Sequence, residues 1–119
     1  GDGSLLFGAG NIIYPECTPL RHKVINIGDW NMDTTVTVNV AHGLTLANIR
    51  KVDVLIRNDT NDGYYPLNFA NSGSSWAEFG AWEITSTNIT LTRNTGTGFD
   101  NTVFDSTSYN RGWITIWYI

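Results

Sequence analysis

The sequence predicts an all-β domain, an antiparallel β-sandwich of about six to seven short strands. Three observations predict it. Apolar residues recur at every second position in short runs, most clearly Val36, Val38, Val40 and Val52, Val54, Ile56. Turn chemistry interrupts these runs at intervals of roughly 8–12 residues. No stretch carries the longer period of an amphipathic helix of useful length, and no internal repeat is visible.

Residues 1–20 are the least regular and read as an N-terminal arm or the end of a linker, with Leu6, Phe7, Ile12 and Tyr14 available for packing. The opening Gly1-Asp2-Gly3-Ser4 looks like the junction with something larger. Residues 21–119 form the predicted sandwich domain. A strand is expected from His22 to Ile27, broken at Gly28-Asp29. The clearest strand runs from Asp33 to Val40, with three valines on one face and Thr35, Thr37 and Asn39 on the other. Thr45 to Asn48 suits a single helical turn, with Thr45 as a weak cap.

Val52 to Arg57 is the next strand, and Asn58 to Gly63 is dense turn sequence. Pro66 places the short run Tyr64 to Leu67 at a sheet edge. Trp76 to Ile84 and Ile89 to Arg93 follow as strands, separated by a turn at Thr85 to Asn88. The final run, Arg111 to Ile119, differs from the rest. Ile114, Ile116 and Tyr118 point one way; Trp113, Thr115 and Trp117 point the other. Both sets are large and mostly apolar, so cover is expected on both faces.

Composition narrows the classes. A chain of 119 residues fits one domain and buries roughly two-thirds of its unfolded surface. Hydrophobic residues are 41% and charged residues 15%, the latter well below the usual ~25%. Aromatic content of 13% argues against disorder. The net charge of −4 and the lack of a basic patch argue against nucleic acid as a partner. No run approaches the ~20 apolar residues of a membrane span, so no membrane insertion is expected. Cys17 is the only cysteine, which leaves no internal disulfide and no cysteine-based metal site.

No catalytic residues, cofactor or metal are expected. The two histidines, His22 and His42, belong to no nucleophile motif or metal-ligand motif, and no glycine-rich phosphate loop is present. Asp29-Trp30-Asn31-Met32-Asp33 opens like a calcium loop, but Thr34 and Val40 stand where that loop needs Gly and Glu. Capping of a turn is the better use of those carboxylates. Asn58, Asp59 and Asp62 beside Tyr64, Tyr65 and Trp76 make the stronger candidate. Rings stack on the C–H faces of sugars, while amides and carboxylates take hydroxyls. Trp30, Trp82 and Tyr109 belong to the same aromatic set, and the plainer reading assigns at least half of these rings to core or interface packing. Trp113, Thr115 and Trp117 are the candidate subunit interface.

Four segments together carry a resemblance: 27–33 (IGDWNMD), 40–44 (VAHGL), 56–59 (IRND) and 104–114 (FDSTSYNRGWI). They resemble C-terminal domains of bacteriophage tail-fibre, receptor-binding or spike proteins, and the strand pattern is similar to H-type lectin domains. The resemblance covers about residues 22–119. It implies a homotrimer on the virion surface, binding a host-surface glycan or protein. It supplies no catalytic residue and no specific sugar-binding motif. Two other readings stay open: a purely structural virion module that trimerises or caps a fibre, spike or capsid without a ligand, and a carbohydrate-binding module of a larger enzyme.

Overall fold

The computed structural model describes residues 18–70 and 78–119. Most of the expected arm, Cys17 included, lies outside the described residues, as does Trp76. Among the described residues no helix is long and apolar enough to cross a membrane.

Among the described residues seven strands form two antiparallel sheets, as the alternation predicts. They are β1 (Arg21–Asn26), β2 (Thr37–Ala41), β3 (Ile49–Arg57), β4 (Tyr64–Pro66), β5 (Gly80–Ile84), β6 (Asn88–Arg93) and β7 (Gly112–Tyr118). One sheet has the order β1-β7-β3-β4 and the other β2-β6-β5. The final strand is therefore central, paired with β1 on one side and β3 on the other.

The core is the product of the two-residue period. Val52, Val54 and Ile56 of β3, Ile114 and Ile116 of β7, and Ile89 and Leu91 of β6 all turn inward and are buried. Burial of each such side chain stabilises by roughly 1.5–3 kcal/mol. Pro66 ends the three-residue β4 at the sheet edge, where its missing N–H breaks no ladder. One end of the core is aromatic: Phe99 meets Phe104, Phe79 and Tyr65 edge to face, with ring centroids 5.1, 5.6 and 6.2 Å away.

Three local expectations differ from the structure. The strand expected from Asp33 begins only at Thr37. Asn31 intervenes: its Oδ1 accepts the N–H groups of Asp33 (3.1 Å) and Thr34 (3.2 Å), holding a turn in place of extended backbone. Val36 is left exposed ahead of the strand. The strand expected from Trp76 is described only from Gly80. The helical turn after Thr45 is a 3-10 turn, Leu46–Asn48, and Thr45 makes no side-chain cap bond to it.

Buried polar side chains tie the loops to the sheets. Arg93 donates from Nε to Met32 O (2.5 Å), from Nη1 to Thr95 Oγ1 (2.8 Å), and faces Asp100 at 3.6 Å. His42 is buried at a strand end. Its Nδ1 accepts Leu44 N–H (3.0 Å), so the ring proton sits on Nε2 and is donated to Thr85 O (2.9 Å). Both hydrogen-bonding positions of the ring are thereby filled from within the fold.

Candidate functional site

The two sheets present different faces to water. The outward residues of the three-stranded sheet are Thr37 and Asn39 of β2, Thr90 and Thr92 of β6, and Ala81 and Glu83 of β5. They bond to one another: Thr90 Oγ1 donates to Asn39 Oδ1 at 2.8 Å, and the Thr37 and Thr92 hydroxyls lie 3.4 Å apart. This is the polar surface expected of a one-sided antiparallel sheet.

The four-stranded sheet breaks that rule. Its register places Asn26, Trp113, Leu55 and Pro66 in one row across β1, β7, β3 and β4. Val24, Thr115 and Asp53 form the next row, and His22, Trp117 and Lys51 the one beyond. Tyr64 and Arg57 stand at the β4 end. Val24 is 58% exposed, Tyr64 47% and Leu55 38%. The Cα atoms of Trp113 and Trp117, four residues apart on one strand, are spaced by about 13–14 Å.

The second face of β7 is thus covered only in part, and by its own domain. Tyr64 stacks on Trp113 with ring centroids 5.8 Å apart and planes 26° from parallel. The Arg57 guanidinium lies 5.3 Å from the centre of Trp113, and Lys51 Nζ lies 4.9 Å from that of Trp117. Such cation–aromatic contacts contribute about 0.5–1 kcal/mol each at exposed sites. The tryptophans remain half-buried.

The structure separates the candidate ligand residues. Asp59 turns inward. Its carboxylate meets Arg111 Nη2 at 2.9 Å and accepts the N–H groups of Asp105 (3.1 Å) and Ser106 (3.2 Å). Burial alone pushes its pKa up, but these hydrogen bonds and the Arg111 charge outweigh burial and hold it below the ordinary value. Asn58 and Asp62 bind each other. Asn58 Nδ2 donates to Asp62 Oδ1 (2.8 Å), and Asn58 Oδ1 accepts the N–H groups of Asp62 and Gly63. The Thr60 hydroxyl at 2.7 Å, with Asn58, also depresses the Asp62 pKa. These residues build the β3–β4 turn.

Tyr65 points inward to Phe99 and Phe104. Tyr64 points outward, and its hydroxyl donates to Asn61 Oδ1 at 2.6 Å. Of the candidate rings among the described residues, Tyr64 alone reaches the surface with its ring available, and it does so against Trp113. One ligand candidate, Tyr64, therefore shares a sheet face with the interface candidates. Trp30 is core, 2% exposed, and donates its indole N–H to Thr35 O at 2.8 Å. Tyr109 donates to Asn58 O at 2.7 Å beneath Arg57. Sequence reasoning missed Arg57 and Arg111. The available signal was an arginine at the end of each of two strand runs, beside a loop of carboxylates and amides.

Among the described residues no three His, Cys, Asp or Glu side chains gather as a metal site would require. The fold defines the chain as an all-β sandwich, one of whose outer faces carries aromatic and aliphatic side chains among charged ones. No protein-family model, no curated protein and no solved structure matches it.

Proposed function

We propose that this chain is a non-enzymatic adhesion domain of a bacteriophage virion, trimeric, binding host-surface carbohydrate. Self-association in this reading runs through Trp117, Thr115 and Val24, with Trp113 at the margin. The carbohydrate sits at the Tyr64 end. The observation that carries the reading is the contrast between the two outer faces. One sheet meets water with mostly small polar residues, and the other sets Trp113, Trp117, Tyr64, Leu55 and Val24 among polar and charged residues such as Asn26, Asp53, Lys51 and Arg57. An exposed apolar patch of this kind marks a binding surface. The phage assignment rests on the resemblance of the four segments.

A second reading is a virion module that assembles and binds no ligand. It is favoured by the commitment of Asn58, Asp59 and Asp62 to internal bonds.

Sedimentation of the wild-type chain is expected to give a trimer. Trp117→Ala is expected to shift it toward monomer, because truncating a large packed ring costs about 3–5 kcal/mol. That weakens association by at least a hundredfold. A wild-type monomer at all concentrations overturns the self-association. On a glycan array, signal that Tyr64→Ala removes while keeping the trimer supports adhesion. A trimer that binds no glycan supports the structural reading.

A further inference from the structure

We infer that the β4 end of the aromatic face is a site for an acidic sugar, whose ring stacks on Tyr64 and whose carboxylate pairs with Arg57. The inference rests on the carbohydrate reading above and narrows it to a ligand class.

Arg57 and Tyr64 are register partners across β3 and β4, so both side chains leave the sheet on its outer face. The guanidinium is held flat. It lies 4.2 Å from the centre of the Tyr109 ring and 5.3 Å from that of Trp113. Nε donates to Asn110 O (2.8 Å) and Nη1 to Asn61 Oδ1 (3.3 Å). Those two bonds engage two of the five N–H groups that a guanidinium carries. The other three, both on Nη2 and one on Nη1, have no partner among the described residues. The ion pairs there join Asp59 to Arg111, Asp100 to Arg93 and Asp53 to Lys51, and none includes Arg57. A rigid fork with free N–H groups suits a planar carboxylate, because little conformational freedom is lost on binding.

The neighbouring groups suit the rest of a sugar. Tyr64 is backed by Trp113, so its ring is fixed in orientation while staying 47% exposed. Asn61, in a left-handed conformation at φ 59°, accepts from both Tyr64 and Arg57 through Oδ1. Its amide N–H groups have no partner among the described residues and are donors for a hydroxyl. Asp62 is the adjacent anion. Its carboxylate is engaged by Thr60 and Asn58, which lessens its repulsion of an incoming acid. A guanidinium beside a stacking ring is more than a neutral sugar needs. It is the pair that a ring bearing a carboxylate uses.

The test is titration calorimetry of the full chain with sialic-acid- and uronic-acid-terminated oligosaccharides, and with the same oligosaccharides after reduction of the carboxyl to an alcohol. Affinity is expected to fall at least tenfold on carboxyl reduction. Arg57→Gln is expected to abolish that difference, and Arg57→Lys to keep part of it. Tyr64→Ala is expected to weaken acidic and reduced forms alike. Equal binding of the two forms by the wild type overturns the acidic assignment and leaves the carbohydrate reading standing. Binding of neither form overturns both. If Arg57→Gln does not fold, the wild-type comparison of the two forms still decides. An Arg57→Gln chain that folds and keeps the preference overturns the role of Arg57.

Discussion

Gly112→Ala is expected to remove most of the stability of the domain. A Cβ at this position would lie 2.0 Å from the Leu55 carbonyl oxygen, 3.0 Å from its carbon and 3.2 Å from Ile56 Cα. These are backbone atoms of the neighbouring strand, so no rotamer change relieves the overlap. The position is clamped from the other side as well: Ile27 N–H donates to Gly112 O at 2.9 Å, and Arg111 N–H donates to Gly28 O at 2.8 Å. Overpacking costs about 1–3 kcal/mol where neighbours can shift, and more where they cannot. Against a total of about 5–15 kcal/mol, a loss of more than about 3 kcal/mol removes a large share of the stability. Gly96→Ala is the control, since nothing lies within 4 Å of a Cβ there and only the backbone strain at φ +79° applies. Urea midpoints of the two variants check the expectation. A Gly112→Ala midpoint no lower than that of Gly96→Ala would contradict the close approach of β3 and β7.

Arg111→Ala is the second large effect. Arg111 is fully buried. It donates to Trp30 O (3.0 Å), Arg57 O (2.9 Å) and Ser106 O (3.4 Å), and it pairs with Asp59. Truncation takes a donor from three carbonyls and leaves the Asp59 carboxylate with only its two backbone N–H donors. Removing one partner of a buried pair typically costs about 3–5 kcal/mol. Asp59→Asn removes the counter-charge of the buried guanidinium but is expected to cost less, because Arg111 keeps its three carbonyl acceptors and the new amide oxygen can still accept from it.

The same pair sets an acid limit. The folded-state pKa of Asp59 lies below its unfolded value. Its contribution is therefore fully present above the unfolded pKa, and it is lost as pH falls through the folded one, below about pH 4. Asp105 runs the other way. Partial desolvation and the neighbouring Asp59 raise its pKa, so its protonation relieves a repulsion at higher pH, as pH falls through that raised value toward the ordinary one, before the Asp59 contribution is lost. In Asp59→Asn the fall in melting temperature between pH 5 and pH 3 is expected to be shallower than in wild type. An equal fall in both would remove Asp59 from the acid response.

The strands were legible because their causes are local. Val52, Val54 and Ile56 alternate within one run, and Pro66 declares an edge by what it lacks. Ile114 and Ile116 gave the inner face of β7 in the same way. The loops were read less well because their causes are distant in the chain. Asp59 and Arg111 are 52 positions apart, and nothing near either announces the other. Asp59 consequently looked like a ligand group when it is a tie between loops. Trp30 sits among turn-forming residues that suggest a surface ring, yet it is 2% exposed in the core. Tyr64 and Tyr65 are adjacent, so the pleat sends one to the surface and one to the Phe99 cluster. Choosing which goes where requires the register of β4 on β3, which Pro66 alone does not supply.

The central place of β7 has a kinetic consequence. Its partner β1 lies some ninety positions earlier, Arg21 opposite Tyr118 and Asn26 opposite Trp113. Closing so long a loop must precede any gain from the contacts it makes, which slows the search for the native topology. Until β7 docks, β1 and β3 have no strand between them and expose Ile25, Val52, Val54 and Ile56 along open edges. Refolding is therefore the stage at which this chain is most prone to aggregate, and dilute protein should recover in higher yield than concentrated protein.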